Sequence, residues 1–201
     1  MFYKADEPHG LPYNPFKAIV APRPIGWIST LNAEGVPNLA PYSFFNGVCD
    51  TPPILMFSSG GMKDSAANVE ATGEFTFNYV SRSMKDEMNI SSAPHPAGVN
   101  EFEKAGLEMA PGETVACPRV AGVAAALECK LLEIVNPTIL DGSKAPYFLI
   151  LGQVTGIHID DAMITESGRF DTMKADPILR SGYHDYVCLD ELFELIRPDT
   201  V

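Results

Sequence analysis

Basic residues are scarce in this chain of 201 residues, which carries 14 Lys+Arg against 26 Asp+Glu and a formal net charge of −12. An acidic surface repels phosphate backbones, so nucleic acid is not an expected partner. The same field repels an anionic nucleotide. Any phosphate site must therefore be local, built from a few basic or hydroxyl side chains and from oriented backbone N–H groups.

Cysteine is also scarce, and long apolar runs are missing. The cysteines stand far apart with no CxxC pair, a spacing typical of reduced thiols, at Cys49, Cys117, Cys129 and Cys188. The longest apolar runs, such as residues 145–151, are too short to span a bilayer. The first residues lack the basic start and apolar stretch of a signal peptide, so we expect a cytoplasmic protein without a membrane partner.

The sequence also lacks the motifs of metal sites and of hydrolase nucleophiles. The histidines, which are His9, His95, His158 and His184, show no metal-ligand spacing with one another or with the cysteines, so no metal is expected. A GxSxG motif is absent, which excludes the nucleophile elbow of the α/β-hydrolases. His158 is predicted to be a structural or surface residue.

The chain does contain many strand patterns. They cover residues 24–31, 36–45, 54–59, 74–80, 124–135 and 147–160. In the fourth of these, Phe75 and Phe77 alternate with Thr76 and Asn78, which predicts a half-buried strand. The connections resemble hairpins rather than βαβ units. These patterns favour a mainly β fold, an antiparallel barrel with a few short peripheral helices.

Helix patterns are short and lie between or after the strands. They cover residues 63–72, about 84–89, 100–105 and 190–196, and Asp176-Pro177 is typical of a helix start. Residues 83–121 are rich in Pro and Gly and are interpreted as a long excursion over the barrel. Residues 162–201 form a C-terminal extension, and we expect a single domain over 1–201.

One turn has the chemistry of an anion site. Ser58, Ser59, Lys63 and Ser65 surround Gly60-Gly61 at the start of a predicted helix, whose dipole favours anions. An ordinary strand–turn–helix connection explains the same residues equally well. Trp27 is likewise interpreted either as a core residue or as a ligand contact. Residue chemistry alone therefore predicts an antiparallel barrel with a candidate anion site.

Five stretches of the sequence, in their order along the chain, resemble the flavin reductase-like family of FMN-binding split-barrel proteins, which includes flavoredoxin. They are APRPIGWIST, NLAPYSFFNGVCDTPPILMFSS, KDSAANVEATGEFTFNYVS, MNISSAPHPAGVNEFEKAGLEM and LECKLLEIV. The resemblance implies a Greek-key split β-barrel and a homodimer with FMN near the subunit interface. It also implies electron transfer, often with NADH or NADPH as the donor.

The resemblance also assigns residues to the cofactor. Asn38, Ala40, Pro41, Tyr42, Ser43, Phe44 and Phe45 would follow the isoalloxazine and ribityl chain, Ser58, Ser59, Lys63, Asp64 and Ser65 would bind the phosphate, and Arg23 and Trp27 would lie near the flavin. Many short-chain flavin reductases of this superfamily carry a His where this chain has Pro146-Tyr147. The polar-aromatic cluster of Arg180, Tyr183, His184 and Tyr186 is interpreted as loop packing.

Three functions are consistent with these residues, and no catalytic residue is assigned. The first is an FMN-dependent oxidoreductase that reduces flavin or another small acceptor with NADH or NADPH. The second is an electron carrier or FMN-storage protein that depends on a redox partner protein. The third is a split barrel that has lost its flavin and serves in assembly.

Overall fold

Strands make up most of the regular structure in the computed structural model, which describes residues 1–198. The strands are β1 (Gly26–Leu31), β2 (Pro37–Tyr42), β3 (Phe45–Asp50), β4 (Pro53–Ser59), β5 (Glu74–Asn78), β6 (Met109–Ala110), β7 (Arg119–Val120), β8 (Ala125–Val135), β9 (Phe148–Ile159), β10 (Ile178–Arg180) and β11 (Tyr186–Cys188). The helices are α1 (Phe16–Ile19), α2 (Asp64–Thr72), α3 (Lys85–Ile90), α4 (Glu101–Ala105) and α5 (Thr172–Ala175), with 3₁₀ turns at Arg82–Met84 and Asp161–Met163.

The centre of the fold is a curled seven-stranded sheet of order β2-β1-β5-β8-β9-β4-β3. Every pair of neighbouring strands in it is antiparallel. The register of the long β8–β9 pair shifts twice, and such irregularities bend a strand pair and increase its twist. The prediction of a mainly β, antiparallel architecture is confirmed.

Two hydrophobic clusters cover the two faces of this sheet, as the alternation of side chains along a strand requires. On β1, Trp27 belongs to one cluster and its neighbour Ile28 to the other. The Trp27 cluster includes Phe102 and Val120 from the predicted excursion over the barrel. The excursion therefore buries one face of the sheet.

This covering explains why the prediction of a half-buried β5 is wrong. Thr76 and Asn78 are fully buried, as is Phe75 on the opposite face. The Val120 N–H donates to Asn78 Oδ1 at 2.7 Å, and Thr76 Oγ1 donates to the Cys117 carbonyl at 3.4 Å. The polar side chains of β5 thus pair with the excursion instead of with water.

The C-terminal part differs from two helix predictions. Asp176 has a left-handed backbone (φ 47°) and ends α5, and Pro177 then leads into β10, so Asp176-Pro177 does not begin a helix. Residues 189–198 have no regular secondary structure, which makes the predicted helix at 190–196 wrong. Leu192 and Phe193 are 62% and 75% exposed, and so short a helix is marginal without tertiary packing.

The cysteines and the helix lengths bear on the expected chemistry and environment of the protein. The four cysteines are free thiols, two of them buried and two exposed. None of the helices within residues 1–198 has the length and apolar character needed to cross a membrane.

Candidate functional site

A cavity of about 370 Å³ lies between β2, the start of α2 and the segment that follows α3. This volume is in the usual range for small-molecule sites. The structure brings together seven of the predicted contacts in its wall: Asn38, Ala40, Pro41, Tyr42, Lys63, Asp64 and Ser65. The other lining residues are Ser91, Ser92, Ala93, Pro94, His95 and Glu101. Two larger surface grooves, of about 690 and 910 Å³, contain none of the predicted contacts.

The start of α2 gives this cavity a positive end. Lys63 is the N-cap residue, with an extended backbone and no side-chain cap hydrogen bond, so the first-turn N–H groups lack a capping acceptor. Asn38 Nδ2 donates to Ser65 Oγ at 2.9 Å, and Asn68 Nδ2 donates to Thr30 Oγ1 at 3.0 Å. These two bonds attach α2 to β2 and β1.

The opposite wall contains a buried carboxyl group and an unpaired imidazole nitrogen. Glu101, only 6% exposed, accepts a hydrogen bond from the Leu39 N–H at 2.9 Å. Burial raises the pKa of Glu101, and the Leu39 hydrogen bond opposes that rise. His95 Nε2 is buried and has no hydrogen-bond partner within residues 1–198. A polar ligand atom at this place would satisfy it.

Tyr42 forms the part of the wall next to the hydrophobic interior. Its ring packs on Phe57 with centroids 4.8 Å apart, and its phenol lies beside the hydroxyls of Ser65 and Ser59. Burial raises the pKa of Tyr42, although the two serine hydroxyls act in the opposite direction. The phenol therefore stays protonated at neutral pH and can donate a hydrogen bond.

A second cavity, of about 360 Å³, adjoins the first and shares Pro41 and Ser92 with it. Arg23 and Ser43 from the predicted contacts lie here. The cluster interpreted as loop packing also lines this cavity, with Arg180, Tyr183, His184 and Tyr186. The two cavities are therefore neighbours on the protein.

Arg23 fixes the walls of the second cavity. It is 6% exposed, and its guanidinium donates to the carbonyl oxygens of Lys17 at 2.5 Å, Ser43 at 3.1 Å and Ser181 at 2.9 Å, and also to that of Val20. These bonds join the N-terminal segment, the β2–β3 turn and the segment after β10. Burial and the nearby Arg180 lower the pKa of Arg23.

The remaining predicted contacts lie outside both cavities. Trp27 is a core residue, and its place near a cofactor stays a prediction: the indole is fully buried and donates at 2.9 Å to Ser91 Oγ, a residue of the first cavity's wall. Ser59 is fully buried and donates to the Gly61 carbonyl at 2.7 Å. The residues that line neither cavity are Trp27, Phe44, Phe45, Ser58 and Ser59.

The sequence reasoning missed the wall formed by residues 91–95. Its signal was present, because this run places two serines and a histidine between small residues and prolines. That is the same polar, turn-forming chemistry that marks residues 58–65. Sequence spacing does not predict this wall, because it is the fold that brings residues 91–95 opposite Lys63 and Ser65.

The fold and its two neighbouring cavities define a mainly β, barrel-like protein with a candidate small-molecule site. The chain belongs to the flavin reductase-like family, since the family described as "Flavin reductase like domain" matches residues 20–174. A protein of Aquifex aeolicus is 38% identical over 174 residues, covering 84% of this chain and 85% of that protein. The curled sheet is the split barrel of this family, as predicted.

Two solved structures extend the comparison. Nitrilotriacetate monooxygenase component B from Bacillus cereus is 29% identical, with a TM-score of 0.87 over 97% of this chain and 98% of that chain. The 2-nitrobenzoate 2-nitroreductase of Pseudomonas fluorescens is 27% identical, with a TM-score of 0.79 over 91% of this chain and 88% of that chain. These similarities support a flavin-related oxidoreductase role.

Proposed function

We propose that this protein binds FMN and acts as an FMN-dependent oxidoreductase on a small acceptor, with NADH or NADPH as the electron donor. The observation that carries the proposal is the cavity at the start of α2. It combines Lys63, an uncapped helix start, and a buried imidazole nitrogen of His95 that has no hydrogen-bond partner within residues 1–198. This is the local anion site that an acidic chain needs in order to hold a phosphate.

The residues present fit the phosphate end of FMN. Lys63 supplies a positive charge, the first turn of α2 supplies N–H donors, and Ser65 and Ser92 supply hydroxyls. Asp64 is the unfavourable neighbour of a phosphate. The second acidic residue of the wall, Glu101, is held on the Leu39 N–H.

The residues also fit the ring of a flavin. β2 is an edge strand that pairs with β1 on one side, so part of its backbone polar groups face away from the sheet. Ala40, Pro41 and Tyr42 line the cavity, and the side of β2 that faces away from β1 can offer polar groups to the ring. When bound, FMN supplies the redox chemistry, and the protein's residues orient it and control access to it.

A second candidate function is an electron carrier that receives electrons from a redox partner protein. It is favoured by Tyr147, which stands where many superfamily reductases have a histidine and which packs edge-on against Phe44 with ring centroids 6.3 Å apart. The enzyme is preferred because the two solved relatives above are a monooxygenase component and a nitroreductase.

Two measurements test the proposal. The purified protein should be yellow, heat should release FMN from it, and the apo-protein should take up FMN again. Anaerobic stopped-flow mixing with NADH and NADPH should then bleach the flavin rapidly. An apo-protein that fails to bind FMN overturns the proposal, whereas a flavin reduced only by a protein donor selects the carrier.

The assembly that we propose is a homodimer of single-domain chains over 1–201. The edge strands β2 and β3 and the exposed apolar side chains of residues 192–196 leave surfaces that a second copy would cover. The remaining partners that we propose are the small-molecule donor and acceptor, and a redox protein under the carrier alternative.

A further inference from the structure

We propose that the second cavity, formed around Arg23 and Arg180, binds the anionic group of a small aromatic molecule that exchanges electrons with the flavin. The inference rests on the proposed function, since it takes the adjoining cavity as the flavin site. It adds the chemical class of the second substrate: an aromatic or heteroaromatic ring that carries a carboxylate or a phosphate.

The charge of this cavity is opposite to that of the whole protein. Its lining includes Lys17, Arg23, Arg180 and His184 but no carboxylate, in a chain whose net charge is −12. None of the three Lys and Arg side chains forms an ion pair with a carboxylate in residues 1–198. Positive charge without a counter-ion, concentrated in a concave site, attracts and retains an anion.

The two arginines have different tasks in this site. The guanidinium of Arg23 donates to neutral carbonyl groups, so it contributes a fixed positive charge that no protein acceptor neutralises. The guanidinium of Arg180 lies over the Tyr186 ring, 4.5 Å from its centroid, and one of its nitrogens donates to the Tyr183 carbonyl at 2.5 Å. Its other donors are available for a carboxylate or phosphate.

The backbone at Tyr183 supports a binding role for this loop. Tyr183 has a φ of 54°, a left-handed conformation that is unfavourable for a tyrosine and that is enriched at functional sites. The Arg180 hydrogen bond to the Tyr183 carbonyl stabilises that conformation. It holds both the aromatic wall and the free guanidinium donors in place.

The shape of the cavity favours a small aromatic ligand. Its volume is about 360 Å³, and the partly exposed rings of Tyr183 and Tyr186 provide aromatic wall surface. It meets the candidate flavin cavity at Pro41 and Ser92, whereas Lys63 lines only the other cavity. A ligand with its anion on Arg180 would therefore be a neighbour of the flavin and not compete for the Lys63 end.

The test is a calorimetric titration of the purified protein with benzoate, with phenyl phosphate and with the neutral benzamide, followed in parallel by the visible absorbance of the flavin. Both anions should bind and perturb the flavin band, and benzamide should bind at least about tenfold more weakly. Tighter binding of benzoate assigns a carboxylate substrate. Tighter binding of phenyl phosphate assigns a phosphorylated one.

Arg180→Gln should weaken anion binding by roughly ten- to a hundredfold, since it removes a charge-assisted contact. The exposed Lys17→Gln, which leaves the fold intact, should weaken it severalfold. Lys104→Gln, an exposed change of the same charge on α4, should have no effect. Equal binding of benzoate and benzamide overturns the inference.

The FMN affinity of the variants separates the inference from the proposed function. An Arg180→Gln protein that loses affinity for FMN but not for riboflavin would show that this cavity holds the cofactor's own phosphate, which also overturns the inference. A protein that takes up no FMN, yet binds benzoate in an Arg180-dependent way, refutes the proposed function and retains the anion site.

Discussion

The indole Nε1 of Trp27 donates a hydrogen bond to Ser91 Oγ at 2.9 Å, and Ser91 Oγ in turn donates to the Met88 carbonyl at 2.8 Å. Trp27 is fully buried on β1, and Ser91 is the first residue of the cavity wall 91–95. The hydrogen bond therefore ties the covering segment of the cavity to the central sheet.

Ser91→Ala should destabilise the protein by about 1–3 kcal/mol, because it leaves the buried indole N–H without an acceptor. Urea unfolding measures this change, and Trp27, the only tryptophan of the chain, reports it by fluorescence. The matched control is Ser92→Ala, whose exposed hydroxyl bonds only to the Asn89 carbonyl. We expect less than about 0.5 kcal/mol for the control. Equal losses in the two variants would contradict the assigned role of Ser91.

Lys63→Ala should weaken FMN binding far more than riboflavin binding. Lys63 lies at the uncapped start of α2 and is expected to contact only the phosphate, so one charge-assisted contact of about 1.5–3 kcal/mol is lost. Fluorescence titration of the apo-protein with each flavin measures the two affinities. If both affinities fall equally, Lys63 has a structural role instead.

Light scattering at micromolar protein should give twice the chain mass of 21.8 kDa.

The expected contribution of the C-terminal segment to the dimer can be tested separately. Its apolar side chains are largely exposed, including Leu195 and Ile196 at 83% each. A chain that ends at Leu189 should shift toward the monomer if these side chains cover the partner subunit. If light scattering gives the full-length protein a mass of about one chain, the proposed homodimer is wrong.

The sequence predicts most of the fold because its strand patterns are local. The alternation and turn signals around β1, β4, β8 and β9 follow from side-chain chemistry that each strand carries by itself. Burial on β5 is not local: Thr76 and Asn78 are polar, yet the excursion covers them and supplies their hydrogen-bond partners. A pattern of alternation cannot reveal which face a distant segment will cover.

The candidate site likewise has one part that the sequence predicts and another that only the fold reveals. Residues 38–42 and 63–65 are found in the sequence because each set is contiguous and carries a recognisable motif. Residues 91–95 and Arg180 lie far along the chain, and tertiary structure brings them to Pro41. The helix predicted at 190–196 is absent although its pattern is local. An amphipathic pattern stabilises a helix only when its apolar face packs on another surface.

A buried, hydrogen-bonded carboxylate on β8 predicts how stability depends on pH. Glu128 is fully buried and accepts hydrogen bonds from the N–H groups of Glu113 at 2.7 Å and Thr114 at 2.5 Å, with His158 Nε2 at 2.5 Å. Burial alone would raise the pKa of Glu128, but the hydrogen bonds from Thr114, His158 and Glu113 lower it from 4.5 to about 2.

A depressed carboxyl pKa stabilises the folded protein above the unfolded value and loses this contribution as the pH falls. The stabilisation, on the order of 3 kcal/mol, should therefore disappear between about pH 4.5 and pH 2. In urea unfolding, Glu128→Gln should have a lower free energy of unfolding than the native protein at pH 7. This difference should be much smaller at pH 3. Glu133→Gln, an exposed change on the same strand, should show no such pH dependence. If the stability difference between Glu128→Gln and the native protein stays constant with pH, the lowered pKa of Glu128 is contradicted.

Salt should accelerate the capture of FMN. The protein carries a net charge of −12, so its long-range field repels an anionic cofactor at low ionic strength. Raising the salt concentration shortens the Debye length from roughly 30 Å at 0.01 M to about 8 Å at 0.15 M. Distant acidic groups are then screened, whereas the short contacts expected at Lys63 and Ser65 are affected less.

The association rate of FMN with apo-protein should therefore rise with salt, while the dissociation rate changes little. Riboflavin is neutral and serves as the matched control, since its association rate should be almost independent of salt. Stopped-flow quenching of flavin fluorescence measures both ligands under the same conditions. A steep fall of the FMN association rate with salt would mean that the cations around Arg180 and Lys17 steer the ligand from a distance, against the local anion site proposed at α2.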